Sequence, residues 1–451
     1  MKQIKVLCMA MLPMLVLLLG MNACKGTDPQ PTEKKARYTI LVYGNAGGSM
    51  DCYIEALWER AKPLMKSDEV RLGFFYKYGK KSEAIPQKYA DPGNLLEFEL
   101  TSETNLDSLR YTAATSGWED YELYDPELLT ITIDEMVKDM PAENYILLIW
   151  GHGGGFDPST DYPKELRDGQ KKARQGVVYD EWHPTKPGDQ HGEGMSMYEL
   201  GEAISKSKVP HFKAIFFHNC LIGNLETLDE IYDKSDYLFS SMHALFSDGV
   251  MIENLVKALY AETDFEQAGK AALTDIPGWE QGYQEAQANG DFNFIKTSEF
   301  AALEPVFTRL SNRLVELYPT QQAAIDQAFD KTYRVTNIHA FFDVLDYANQ
   351  LAKATNDAQL QAIAADLKTA FDKIWISRRS ILYNPQAPLS EFTLSLFMMD
   401  KETYAQKVGT YNYTYKDAYE YSRFHKRTGW GNWINANTHI PQGNPIGQVL
   451  N

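Results

Sequence analysis

Short apolar runs alternate with amphipathic segments from Arg37 to about residue 245. The run over 38–43, rich in aromatic and β-branched residues, ends at Gly44, Gly47 and Gly48 and predicts a buried strand. Apolar residues at helical spacing predict a helix over 51–65, and strands are predicted over 70–76 and 96–100. A second helix is predicted over 126–140, before a wholly apolar strand over 145–150. The segment 196–205 reads as a helix opened by Ser196, with Glu199 three residues on as its capping-box partner. Strands over 214–217 and 237–242 follow, and His243 after the last reads as lining the region of the next loop or as a surface residue without function. Strands that are apolar throughout, separated by helices, imply an α/β fold with a mostly parallel sheet flanked by helices.

Beyond about residue 250 the texture changes. Helical patterns dominate as far as Ser377, a strand-like segment lies over 392–397, and the tail is aromatic, with Trp430 and Trp433. The expected division is a catalytic region over 37–250 and a mainly helical C-terminal region over 251–451. Between the strand at 145–150 and that at 214–217 lies a polar stretch, 157–194, without strong periodicity. A segment of that length in a compact domain serves a function or is disordered.

The N-terminus has a different character. Lys2 and Lys5 precede an almost wholly apolar run that closes on Gly20, Met21, Asn22, Ala23 and Cys24. A basic start, a short apolar core and small residues before a cut describe a secretory leader, too short for a comfortable membrane span. A cysteine directly after Ala23 resembles a bacterial lipobox, so residues 1–23 are read as a lipoprotein leader and Cys24 as the lipidation site. Residues 24–36 are polar with two prolines, a flexible tether. The protein is thus expected in the bacterial cell envelope, exported and held to the membrane by lipid. A formal charge of −17 excludes a dedicated nucleic-acid binder, which needs clustered Lys and Arg. A monomer is expected.

Of four cysteines, Cys8 leaves with the leader and Cys24 carries lipid, so Cys52 and Cys220 remain as a disulfide or as thiols. Two strings follow strand ends: Trp150-Gly151-His152-Gly153-Gly154-Gly155, and His218-Asn219-Cys220-Leu221-Ile222-Gly223. In a parallel sheet both open onto the carboxyl edge, where ligands bind. A thiol needs a neighbouring imidazole to act as a nucleophile near neutral pH, and glycines beside His152 let backbone N–H groups approach an oxyanion. Other readings stay open on residues alone. Cys220 could be a small buried hydrophobe, and the His-Gly-Gly-Gly string occurs in esterases of the α/β-hydrolase type. The esterase reading lacks its G-x-S-x-G elbow, since Gly194, Met195, Ser196 and Met197 lead to Tyr198. No CxxC or HExxH spacing supports a metal. The contrasting class is a non-catalytic surface lipoprotein that binds peptide or glycan through its aromatic C-terminal part, on a degenerate peptidase fold.

These strings resemble the clostripain family of cysteine peptidases. The residues that carry the likeness are the strand over 38–43 with Asn45, the string around His152, and Asn219 through Glu226; Thr428, Gly429 and Trp430 extend it weakly. The resemblance implies a caspase-like fold, peptide or protein substrates, His152 as general base and Cys220 as nucleophile. It also implies an oxyanion hole from the backbone near Gly153 and Cys220, and no required cofactor, although some relatives use calcium and no EF-hand loop is present here. Family members cleave after Arg or Lys, and several mature by cutting the loop between His and Cys. Lys171, Lys172 and Arg174 lie in that loop, which makes Lys172 and Arg174 self-cleavage candidates. Relatives with basic specificity carry an aspartate two residues before the cysteine, whereas this chain has His218. Asp248 is the carboxylate that could supply the missing S1 charge.

Overall fold

The computed structural model describes residues 35–45, 47–77, 95–106, 123–158, 177–180, 193–245, 250–274, 279–335, 341–383, 391–408 and 412–440. The leader, Cys24, Lys172, Arg174 and Asp248 lie outside the described residues.

Eight strands form the central sheet. They are β1 (Ala36–Asn45), β2 (Val70–Lys77), β3 (Leu95–Leu100), β4 (Ala142–Trp150), β7 (Phe212–His218), β8 (Ser235–Ser240), β9 (Gly290–Lys296) and β11 (Trp375–Ile381), in the order β11-β9-β8-β7-β4-β1-β2-β3. Two short pairs lie outside it, β5 (Val177–Asp180) with β6 (Glu193–Met195), and β10 (Phe342–Asp343) with β12 (Ser395–Leu396). The five central strands β2, β1, β4, β7 and β8 run parallel, and β3 and β9 join them antiparallel. The fold is a mostly parallel sheet flanked by helices, as the alternation of apolar runs predicts.

Their apolar continuity has a direct cause, because both sides of the sheet are buried. Ile40, Val42, Leu148 and Phe216 point into one core beneath the helices Val250–Ala261 and Phe265–Thr274. Leu41, Tyr43, Leu147, Ile149, Ile215 and Phe217 point into the other. That second core is closed by Pro126–Asp139, Met197–Lys206, Leu225–Ile231 and the long C-terminal helices Glu304–Lys331, Val344–Thr355 and Ala358–Ile374. The predicted capping box is present, with Glu199 N–H donating to Ser196 Oγ and Ser196 N–H donating to the Glu199 carboxylate.

Beyond residue 250 the structure departs from the sequence reading at several strands, and β9 lies inside the stretch read as helical. Residues 375–377, assigned above to the end of a helical stretch, begin β11, which pairs antiparallel with β9 at the edge of the main sheet. Its Arg378 and Arg379 give it the polar texture of an edge strand, where charge discourages further pairing. The sheet therefore runs across the boundary expected near residue 250. The strand-like segment at 392–397 pairs only at Ser395–Leu396. His243 is 2% exposed, not a surface residue. Trp430 and Trp433 are also buried, and Trp430 Nε1 donates to the Phe397 carbonyl at 3.1 Å, so neither ring is presented for stacking on a sugar.

Glu226, in the first turn of the helix after β7, ties that helix to the C-terminal part. Its carboxylate accepts from Phe397 N–H at 3.0 Å and from the Tyr419 hydroxyl at 2.9 Å. Burial pushes its carboxyl up to about 7. A carboxyl raised on folding stabilises the fold fully below its unfolded value, and that stabilisation is lost as pH rises through the folded value. The Glu226→Gln variant is therefore expected to lose stability relative to wild type at pH 5 and to recover about 2 kcal/mol of that loss by pH 8. Chemical denaturation at the two pH values measures the gap, and a gap that does not change with pH contradicts the assignment.

Candidate active site

Strands β4 and β7 are neighbours in register, with Trp150 paired to His218, so the chain leaves both at the same level of the sheet edge. From β4 it enters Gly151-His152-Gly153, and from β7 it enters Asn219-Cys220. The two turns are fastened by one side chain. Asn219 Nδ2 donates to the carbonyls of Gly151 and His152, each at 3.0 Å, and Gly151 N–H donates to the His218 carbonyl at 3.4 Å. The fit leaves no room at Gly153, where an added Cβ would lie 2.3 Å from the Cys220 carbonyl oxygen and 2.9 Å from its nitrogen. Glycine at 153 is thus a requirement of close backbone approach.

Cys220 is a free thiol, which removes the disulfide reading for it. Leu245, in the segment that follows β8, donates its N–H to Sγ at 3.3 Å and presents its carbonyl to the same sulfur at 3.8 Å. Burial raises the thiol above its ordinary value, and the hydrogen bond with Leu245 offsets part of that. A thiol in this environment stays protonated near neutral pH unless a base takes its proton. His152, half-buried, sits one residue before the glycine that abuts Cys220.

The remaining sequence candidates fall in different places. His218 is 2% exposed and stacks on Trp150 with ring centroids 4.0 Å apart and planes within 6°. Burial lowers its imidazole to about 4, so it is neutral at physiological pH and offers no charge to a guanidinium. Among the described residues no group of three or more His, Cys, Asp or Glu side chains is placed to hold a metal ion. Sequence reasoning missed two participants, Asn219 as the fastener and Leu245 as the backbone partner of sulfur. Asn219 could have been suspected from its place beside the cysteine. A backbone group such as the Leu245 N–H leaves no signature in sequence.

A model of the clostripain family, peptidase C11, matches residues 113–436, more than half of the chain. No curated protein matches it. Among solved structures, an inactive zymogen C11 protease from Parabacteroides distasonis is similar over 88% of this chain and 99% of its own, at 17% identity and a TM-score of 0.54. A secreted C11 cysteine protease from Bacteroides thetaiotaomicron, in complex with an irreversible peptide inhibitor, covers 88% of this chain and 99% of its own at 15% identity and a TM-score of 0.56. Another structure of a secreted C11 cysteine protease from that organism, named iotapain, covers 88% and 100% at 13% identity and 0.58. At these identities the likeness is one of fold. With the family match and the caspase-like sheet together, this chain belongs to the clostripain family and is a cysteine peptidase.

Proposed function

We propose that the protein is an endopeptidase in which Cys220 attacks the scissile carbonyl and His152 carries the proton. The observation that supports this reading is the abutment of Gly153 on the Cys220 backbone, locked by Asn219, because it sets the two strand-end turns side by side. In the proposed cycle His152 takes the thiol proton, and sulfur adds to the carbonyl carbon. The backbone N–H groups of Gly153 and Cys220 face the developing oxyanion. Collapse expels the amine, which takes the proton from His152. Water, deprotonated by the same imidazole, then hydrolyses the thioester and releases the thiol.

Cleavage after Arg or Lys is the proposed specificity. The position two residues before Cys220 holds a buried neutral imidazole, so a cationic P1 side chain needs a carboxylate from elsewhere, and Asp248 is the proposed source. The proposal extends to self-processing at Lys172 or Arg174, and to export with lipid attached at Cys24. No helix among the described residues is long and apolar enough to cross a membrane.

The leaderless protein is expected to hydrolyse fluorogenic peptides with Arg or Lys at P1 at least about tenfold faster than peptides with a neutral P1. Cys220→Ala is expected to lose essentially all of that activity, on the order of a thousandfold or more. Equal activity in wild type and Cys220→Ala would remove Cys220 from the mechanism, and a neutral-P1 preference would remove Asp248. The second measurement is the intact mass of the full chain recovered from bacterial membranes. A lipid-modified N-terminus at Cys24 is expected in both proteins, with a break after Lys172 or Arg174 in wild type but not in Cys220→Ala. An unmodified N-terminus contradicts the anchor, and a break present in both, or in neither, contradicts self-processing.

A further inference from the structure

Behind the Cys220 turn lies a buried polar cluster that the reaction as described does not use. Asp291, on β9 and 1% exposed, accepts from five donors. These are Ser241 Oγ at 2.8 Å, the N–H groups of Met242 and His243 at 3.0 and 3.1 Å, His243 Nδ1 at 2.7 Å, and Asn293 Nδ2 at 2.7 Å. The carboxylate fixes the imidazole tautomer, with the proton on Nδ1. The other nitrogen, Nε2, lies 2.7 Å from the Tyr333 hydroxyl. Burial holds that hydroxyl well above its ordinary value, so Tyr333 stays protonated, and its oxygen accepts from Asn289 Nδ2 at 3.1 Å. Every polar atom in the Asp291–His243–Tyr333 chain thereby finds a partner, and the turn after β8 has one arrangement.

That turn is bonded in three places to the loop that carries the nucleophile. Gly223 N–H donates to the Ser241 carbonyl at 2.6 Å, Leu221 N–H donates to the His243 carbonyl at 3.0 Å, and Leu245 N–H donates to Cys220 Sγ at 3.3 Å. The approach is close enough that a Cβ at Gly223 would lie 2.5 Å from Met242 N. Leu221, directly after the cysteine, has φ of 65°, a left-handed conformation that a leucine adopts only when its surroundings impose it. What imposes it here includes the bond to the His243 carbonyl. Tyr283 adds a further hold, its hydroxyl donating to the Ala244 carbonyl at 2.5 Å.

We propose that Asp291, acting through His243 and the turn after β8, is a positioning residue for the peptidase reaction, because it holds Leu221 in its strained conformation and aims the Leu245 N–H at the Cys220 sulfur. The proposal rests on Cys220 being the nucleophile. Asp291 touches neither substrate nor sulfur. Its effect is to keep the sulfur where attack is productive and to keep a donor on the thiolate, which favours the charged form. The titratable groups that face Asp291 are His243 from the turn and Tyr333 from the segment after the helix Glu304–Lys331, and Asp343 acts on Tyr333 from farther away.

The test compares Asp291→Asn, Tyr333→Phe, Cys220→Ala and wild type on one cleavable fluorogenic peptide, with active thiols counted by an irreversible peptidyl electrophile. Asp291→Asn is expected to lower kcat per titrated thiol at least about tenfold, with KM changed less than about threefold. The acid limb of its kcat/KM profile is expected to move about half a pH unit or more upward. Tyr333→Phe leaves the Asp291 bonds in place and is expected to move both quantities in the same direction by less, so it carries the test if Asp291→Asn does not fold. A purely structural role would lower the melting temperature and the number of titrated thiols, but leave kcat per thiol and the acid limb where they are. That result in Asp291→Asn, or in Tyr333→Phe where only it folds, overturns the proposal. Activity retained in Cys220→Ala would instead refute the choice of nucleophile.

Discussion

The two hydrogen bonds from Asn219 Nδ2 to the carbonyls of Gly151 and His152 are the constraint on which the site depends. They join turns that belong to different βα connections, and they do so only because position 153 has no side chain. The sheet supplies the rest of the geometry. With β4 and β7 adjacent and Trp150 level with His218, the two turns begin at the same height, and one amide side chain is long enough to span them. Each link has a separate physical origin: apolar strands buried on two faces set the register, glycine permits the approach, and the amide fixes it.

Electrostatics then separates the two histidines near the cysteine. His218 is packed flat on Trp150 in a core where burial disfavours its cation, so it contributes packing and no charge. Burial works against Cys220 as well, because it raises the thiol and makes the thiolate costly. Reactivity in such a place requires specific compensation. The Leu245 N–H is one source, and in the proposed mechanism the imidazole of His152 is the other. The same low-dielectric surroundings that make an unaided thiolate unfavourable strengthen each of these interactions.

Much of the central fold was legible because it obeys one rule. β1, β4 and β7 carry unbroken apolar runs over 40–43, 145–150 and 214–217 since both of their faces are buried there, and such runs stand out in any reading of the chain. β9 and β11 were not legible, for opposite reasons. β9 places Asp291 and Asn293 among its aromatic residues, and those side chains bond to the turn after β8 and to the Thr393 carbonyl, contacts that no local pattern reveals. β11 is an edge strand whose arginines look like a solvated helix end. The two site turns could be found from a glycine-rich string with a histidine and from a cysteine, each placed after an apolar strand. Their contact depends on strand order, and the parts played by Asn219, Leu245 and Asp291 depend on contacts between segments far apart in sequence.

In the proposed mechanism the His152 turn and the Cys220 turn form one reactive unit. Its most direct test is the rate of Cys220 alkylation by iodoacetamide between pH 5 and 9 in wild type and in His152→Ala, followed by peptide mapping. Wild-type Cys220 is expected to be alkylated rapidly, with a midpoint set by the His152 imidazole that takes its proton. In His152→Ala the midpoint is expected to rise by at least about one pH unit, as for a buried thiol that has lost its partner. The same midpoint in both proteins would contradict that mechanism.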